Sequence, residues 1–177
     1  MYKRVLLKLS GEALSGDGRE TFDNSIIDKI VKQIKSITQD GVQVSLVIGG
    51  GNFWRGRSAN PAMDRCKADQ IGMLATVMNA IYVADFLKQN GLMSVVMTPF
   101  AVGSMTEMFS KDLALEYLSE NKIIIFAGGI GHPFFSTDTV TALRASELQA
   151  DAILYAKSID GVYNDDPAKN PNAVKYE

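Results

Sequence analysis

Three short glycine clusters stand directly behind apolar runs. Ser10-Gly11 follows residues 5–9, Gly49-Gly50-Gly51 follows residues 42–48, and Gly128-Gly129-Ile130-Gly131 follows residues 122–127. Glycine lets a ligand approach the backbone closely, and bare N–H groups and helix N-termini at such turns suit a phosphate group. Lys8 brings a cation to the same place, two residues before its turn. An ammonium in a strand covered on both faces is costly unless it is paired or faces an anion. The alternative is an edge strand from which Lys8 snorkels to water. The chemistry these residues suggest is the handling of phosphate.

Two more segments add to it. Arg55 and Arg57, in Gly49-Gly50-Gly51-Asn52-Phe53-Trp54-Arg55-Gly56-Arg57, offer planar guanidinium forks for phosphate oxygens, or else stand solvated on a loose turn. Residues 128–138 supply glycines, His132, Phe134, Phe135, Ser136, Thr137 and Asp138 at one strand-to-helix junction. Asp138 could cap the helix, hold Lys8 across a crevice or help place Mg²⁺. Asp69 lies near the start of a long helix, where the dipole favours a carboxylate in any case. His132 is the only histidine and has no ligand cluster around it, so no resident metal centre is expected. Neither Gly-x-x-x-x-Gly-Lys-Ser/Thr nor Gly-x-Gly-x-x-Gly occurs, which argues against a P-loop and a dinucleotide site.

The elements that must carry these groups alternate. Strands are expected at 5–9, 42–48, 93–98, 122–127 and 151–156. Helices are expected at 24–39 (capped by Asn24 or Ser25), at about 67–89, around 111–119, and from Ser136 or Thr137 to about 149. The long helix is expected to place Ile71, Leu74, Met78, Ile81, Tyr82 and Phe86 on one face. Such alternation predicts an α/β three-layer sandwich, an open and mainly parallel sheet with helices on both faces. Ligands then bind beyond the carboxyl ends of the strands. The last strand is expected at or near an open edge.

Composition limits the alternatives. The chain has 177 residues, 46% hydrophobic and 21% charged, with a net charge of −2. That predicts one folded domain over 1–177, with no basic footprint for nucleic acid. The single cysteine, Cys66, precludes an internal disulfide framework and fits a reducing compartment. No signal-peptide plan and no uninterrupted apolar run of spanning length are present, so a cytoplasmic protein away from membranes is expected.

Five collinear stretches resemble the bacterial-type uridylate kinases of the amino acid kinase superfamily. They are Lys8-Leu9-Ser10-Gly11-Glu12-Ala13-Leu14, Gly-Gly-Gly-Asn-x-x-Arg-Gly at 49–56, Ala68-Asp69-Gln70-Ile71-Gly72-Met73-Leu74-Ala75-Thr76, Pro133-Phe134-Phe135-Ser136-Thr137-Asp138, and Asp160-Gly161-Val162-Tyr163-x-x-Asp166-Pro167. The resemblance implies the amino acid kinase fold and transfer of the γ-phosphoryl of Mg-ATP to UMP in pyrimidine nucleotide synthesis. It gives Lys8, Arg55 and Asp138 catalytic roles. Lys8, Leu9, Ser10, Gly11, Gly51 and Arg55 would face ATP phosphates, and Lys157, Tyr163 and Asp166 the adenosine. Gly50, Asp69, Ile130, Gly131, His132, Pro133, Phe134, Phe135, Ser136 and Thr137 would hold UMP. Gly16, Asp17, Gly18, Arg19, Glu20 and Thr21 match where the family places its response to GTP. It also implies a homohexamer, with GTP and UTP as effectors. Chains of that family continue past the position of Glu177, so a fold lacking its C-terminal part is expected. Two relatives of the same fold would serve other ends: a kinase acting on a carboxylate or carbamate, and a catalytically silent nucleotide-binding module.

Overall fold

A computed structural model describes residues 2–16, 20–55, 60–156, 161, 163–165, 167 and 169–176. Six strands, β1 (Arg4–Leu9), β2 (Gln43–Ile48), β3 (Ser94–Thr98), β4 (Glu107–Met108), β5 (Ile123–Phe126) and β6 (Ala152–Ala156), form one sheet in the order β4-β3-β5-β2-β1-β6. Every ladder in it is parallel. The helices are α1 (Glu12–Ser15), α2 (Asn24–Gln39), α3 (Arg65–Gln89), α4 (Lys111–Ser119) and α5 (Thr137–Glu147).

The period of two in the strands sorts their side chains between two cores. Val5, Leu9, Val44, Leu46, Ile48, Ile123 and Ile125 pack with α2 and α3 on one face. Leu6, Val47, Ile124 and Phe126 pack with α4 and α5 on the other. Both faces are thus covered, which explains why the strands read as continuous apolar runs. The expected three-layer sandwich with a parallel sheet is what forms.

Three details differ from the sequence reading. Asp23, rather than Asn24 or Ser25, caps α2: its Oδ1 accepts the N–H groups of Ser25 at 2.9 Å and Ile26 at 3.2 Å. The short strand β4 was not expected; its two residues are both exposed and carry no alternating pattern. The third difference is larger. In α3, Ile71, Leu74, Met78 and Ile81 share a face, but it points outward, with exposures of 38%, 51%, 48% and 38%. The buried face is made of Ala68, Ala75, Thr76, Val77, Asn79, Ala80, Val83 and Leu87. Small side chains let this helix lie close to the sheet, so the larger apolar residues are left outside. By length and composition α3 could cross a bilayer, yet its inner face belongs to the core.

The topology sets the site. The three glycine clusters terminate β5, β2 and β1, which are adjacent in the sheet. Neighbouring strands lie about 4.8 Å apart, so the three turns share a rim roughly 10 Å wide. β6 forms one edge of this sheet, as expected for the last strand.

Leu46 lies in β2 at the middle of this arrangement with no exposed surface. Leu46→Ala should cost about 2–5 kcal/mol, read in urea unfolding as a lower midpoint at unchanged slope. A loss below about 1 kcal/mol would place the core elsewhere.

Candidate active site

Lys8 is an even-numbered position of β1 and therefore turns to the same face as Leu6, the face covered by α5. There its Nζ pairs with Asp138 Oδ1 at 3.0 Å, in the first turn of α5. The Lys8 side chain is 9% exposed and that of Asp138 48%. β1 pairs with β2 on one side and β6 on the other, so the edge-strand reading of Lys8 is ruled out. Asp138 does not cap α5; Ser136 does, accepting Thr139 N–H at 3.2 Å. The pair leaves a cation at the end of a buried strand, held by a carboxylate that is half open to solvent.

The glycine turns are fitted to their surroundings. A Cβ on Gly50 would stand 2.9 Å from both Ala75 Cβ and Gly72 O of α3, so the bare backbone is what lets this turn press onto the helix. A Cβ on Gly11 would meet Gly51 N at 2.5 Å, which brings the first two turns into contact. Among the described residues, the N–H groups of Gly50 and Gly51 have no hydrogen-bond acceptor and stay available to a ligand. Arg55 Nη2 pairs with Glu12 Oε1 at 2.6 Å, which ties the guanidinium to the first residue of α1, directly after the Ser10-Gly11 turn.

A cleft of about 170 Å³ opens beside this rim. Gly50, Trp54, Asp69, Gly72, Thr76, Gly129, His132, Phe135 and Thr137 line it. Ile130 leans on the α4/α5 core instead, and Pro133 and Ser136 do not line the cleft, Ser136 serving as the cap of α5. Asp69 ties the walls together: its Oδ1 takes Arg65 Nε–H at 2.9 Å and its Oδ2 takes Phe134 N–H at 2.8 Å. Arg65 also lies over the Phe134 ring, 5.5 Å from its centroid. These contacts hold Phe134 at φ 72°, a left-handed conformation unusual for a bulky residue. Phe134 and Phe135 stay 66% and 58% exposed, two aromatic faces at the mouth.

Two polar side chains on the buried face of α3, unassigned in the sequence reading, fasten the turns. Thr76 Oγ1 accepts Gly128 N–H at 2.7 Å and donates to Met73 O at 2.7 Å. Asn79 Nδ2 donates to Gly49 O at 2.7 Å. Trp54 Nε1 donates to Ala68 O at 2.8 Å and closes the segment after the second turn against the same helix. A sequence signal for the first two existed: two polar residues three apart inside the apolar stretch 75–83.

The remaining expected residues are more scattered. Leu9 is buried in the core and Ser10 Oγ accepts Ala13 N–H at 3.1 Å. Gly131 turns at φ 91° beside Pro99. Tyr163 forms an antiparallel bridge with Lys175. Gly16, Glu20 and Thr21 are described, and Thr21 O accepts a bond from Asn52. Asp17, Gly18, Arg19, Arg57, Lys157 and Asp166 lie outside the described residues.

Partial desolvation pushes the Asp69 carboxyl up, but the Arg65 hydrogen bond, the Phe134 N–H and the Arg65 charge together hold it below its ordinary value. A depressed native pKa stabilises the fold above the unfolded pKa, and that contribution is lost as pH falls through the native value. The difference in Tm between the wild type and Asp69→Asn should therefore be largest near neutral pH and shrink below about pH 4. A gap independent of pH would contradict this role.

Comparison with known proteins agrees with the geometry. Residues 3–177 match the amino acid kinase family. The chain is 52% identical to uridylate kinases from two strains of Streptococcus thermophilus, over 99% of its length and 73% of theirs. A crystal structure of UMP kinase from Bacillus anthracis superposes with a TM-score of 0.92 at 40% identity, covering 99% of this chain and 73% of that one. One from Ureaplasma parvum gives 0.91 at 34% identity, covering 100% and 76%. By sequence and by fold, the chain belongs to the amino acid kinase family and, within it, to the uridylate kinases.

Proposed function

We propose that this chain transfers the γ-phosphoryl group of ATP to the phosphate of UMP, yielding ADP and UDP for pyrimidine nucleotide synthesis. The observation that carries the reading is the Lys8–Asp138 pair at a rim where three glycine turns meet. Phosphoryl transfer asks little covalent chemistry of a protein; it needs in-line placement and positive charge around the moving group. Lys8, Arg55 and the N–H groups of the glycine turns supply that charge. In this reading Ser10, Gly11, Gly51 and Arg55 cradle the ATP phosphates. Gly50, His132 and Thr137 line the side that takes UMP, and Asp69 and Phe135 hold its nucleoside. Lys157, Tyr163 and Asp166 fall to the adenosine.

Mg²⁺ comes with ATP as part of the substrate. Among the described residues no group of three or more His, Cys, Asp or Glu could hold a metal by itself. Asp138, half exposed beside Lys8, is suited to bind the ion that the nucleotide brings. The acceptor cleft is walled by Asp69 and an aromatic ring rather than by clustered cations, which fits a nucleoside monophosphate better than a small carboxylate.

The reading includes self-association to a homohexamer, action in the cytoplasm, response to GTP through residues 16–21, and UTP as a second effector. The outward face of α3, with Leu74 and Met78 about half exposed, supports the first of these. Exposed apolar surface of this kind on a soluble chain marks contact with another molecule. Leu74→Glu should lower the mass seen by analytical ultracentrifugation; an unchanged mass would remove this face from the interface.

A coupled assay should show ADP formation that depends on UMP, with CMP a much poorer acceptor. Lys8→Ala should cut kcat by roughly a hundredfold or more, as loss of one electrostatic partner of the transition state does. Turnover untouched by Lys8→Ala would reject the role given to that lysine.

A further inference from the structure

Asn79 is fully buried in the middle of a 25-residue helix, and it does not line the cleft. Its amide faces that of Asn52, which directly follows the glycine triplet. Asn79 Nδ2 donates to Asn52 Oδ1 at 2.7 Å, and Asn52 Nδ2 returns a bond to Asn79 Oδ1 at 3.0 Å. Each nitrogen has a second hydrogen. That of Asn79 goes to Gly49 O at 2.7 Å, and that of Asn52 to Thr21 O at 2.9 Å. All four amide hydrogens are therefore used, and the network is closed. A closed buried network fixes geometry more tightly than apolar packing, because each displaced partner leaves a desolvated polar group behind.

What the network holds is the second glycine turn. Gly49 is tied from below by Asn79, and its own N–H donates to Leu9 O at 2.8 Å. Asn52 is clamped on the far side of the triplet and also abuts the first turn: a Cβ on Gly11 would stand 2.6 Å from Asn52 Oδ1. Gly50 and Gly51, with their unused N–H groups, are suspended between these two anchors. Leucine has the same branched skeleton of four side-chain heavy atoms as asparagine, and in a buried helix position it carries a lower desolvation cost. The amide supplies something that packing does not.

We propose, building on the reading of the cleft as a phosphoryl-transfer site, that Asn79 is a positioning residue. Through Asn52 it sets the height and angle at which the Gly50 and Gly51 N–H groups meet the reacting phosphates. It touches no substrate, so its effect falls on the rate of the chemical step more than on nucleotide binding.

Asn79→Leu keeps the branched side-chain skeleton and deletes the amide, and three measurements on it test the idea. Thermal melting should show a folded protein. The amides of Gly49, Phe53 and Trp54, whose acceptors are Leu9 O and Gly50 O, should exchange hydrogen at least tenfold faster than in the wild type. With UMP and ATP, kcat should fall roughly 10–100-fold, the usual cost of a small misplacement, with KM for UMP nearly constant. If Asn79→Leu does not fold, Asn52→Ala opens the same pair from its more exposed end and is read the same way. Combining the two changes should be no worse than the stronger single change, because they break one unit. Wild-type exchange at those three amides, or losses that simply add, would overturn the proposal. Absence of UMP-dependent turnover in the wild type would instead sink the functional reading, and the exchange comparison would still decide the role of Asn79.

Discussion

A lysine at the end of a strand covered on both faces must find an anion, and in this chain Asp138 answers that need. The pairing has consequences well beyond one contact. It brings the first turn of α5 to the carboxyl end of β1, and so places the 128–137 loop over the ends of β5 and β2. It also keeps a cation at the rim without stranding it, since the carboxylate is half open to solvent. Such a pair is poor evidence of stability, because the desolvation of the lysine offsets much of the attraction. In the proposed reading, its value is a charge held ready for an incoming polyanion.

Helix α3 is the second constraint. Where it meets the second glycine turn its residues are small, Gly72, Ala75 and Thr76, and Gly50 presses onto them where any side chain would clash. Thr76 holds the third turn and Asn79 the second, three residues apart on one helix face. One rigid element therefore sets the spacing between two turns that come from different strands. Close approach moves the bulky Ile71, Leu74, Met78 and Ile81 to the outside, which leaves an apolar stripe on the surface.

The two ends of the sheet are fastened differently. At the amino ends of the strands, Arg4 donates to Gln43 Oε1 and to Leu148 O, and Gln43 reaches Leu118 O at 3.0 Å. Asp151 accepts the N–H groups of Lys3 and Arg4, and these bonds hold its carboxyl below the ordinary value. That end is locked to the last turns of α4 and α5 by side chains that reach carbonyls. At the carboxyl ends the turns are rich in glycine, and among the described residues the Gly50 and Gly51 N–H groups have no acceptor. In the proposed reading, opposite ends of one sheet divide stability from chemistry.

Much of this was legible in the residues themselves. Alternation of apolar runs with helical periods gave the parallel sandwich, since only a sheet covered on both sides makes continuous apolar strands. The bounds of α2 and α4 could be read directly from spacing and flanking residues. The glycine clusters, Lys8 and the 133–138 stretch marked the candidate site, because a cation and bare backbone behind buried strands suit a phosphate. Other features needed the third dimension. Spacing shows that Ile71, Leu74, Met78 and Ile81 share a face, but which face is buried depends on what α3 meets. β4 escaped notice because two exposed residues hold no period. That Arg55 stands against Glu12, and that Asn79 and Asn52 close a ring of hydrogen bonds across 27 positions, follows from chain crossings that no local pattern encodes. The sequence alone settles which residues want burial, turns or an anion; which of them meet is decided by packing, because a contact is a property of two segments and the space between them.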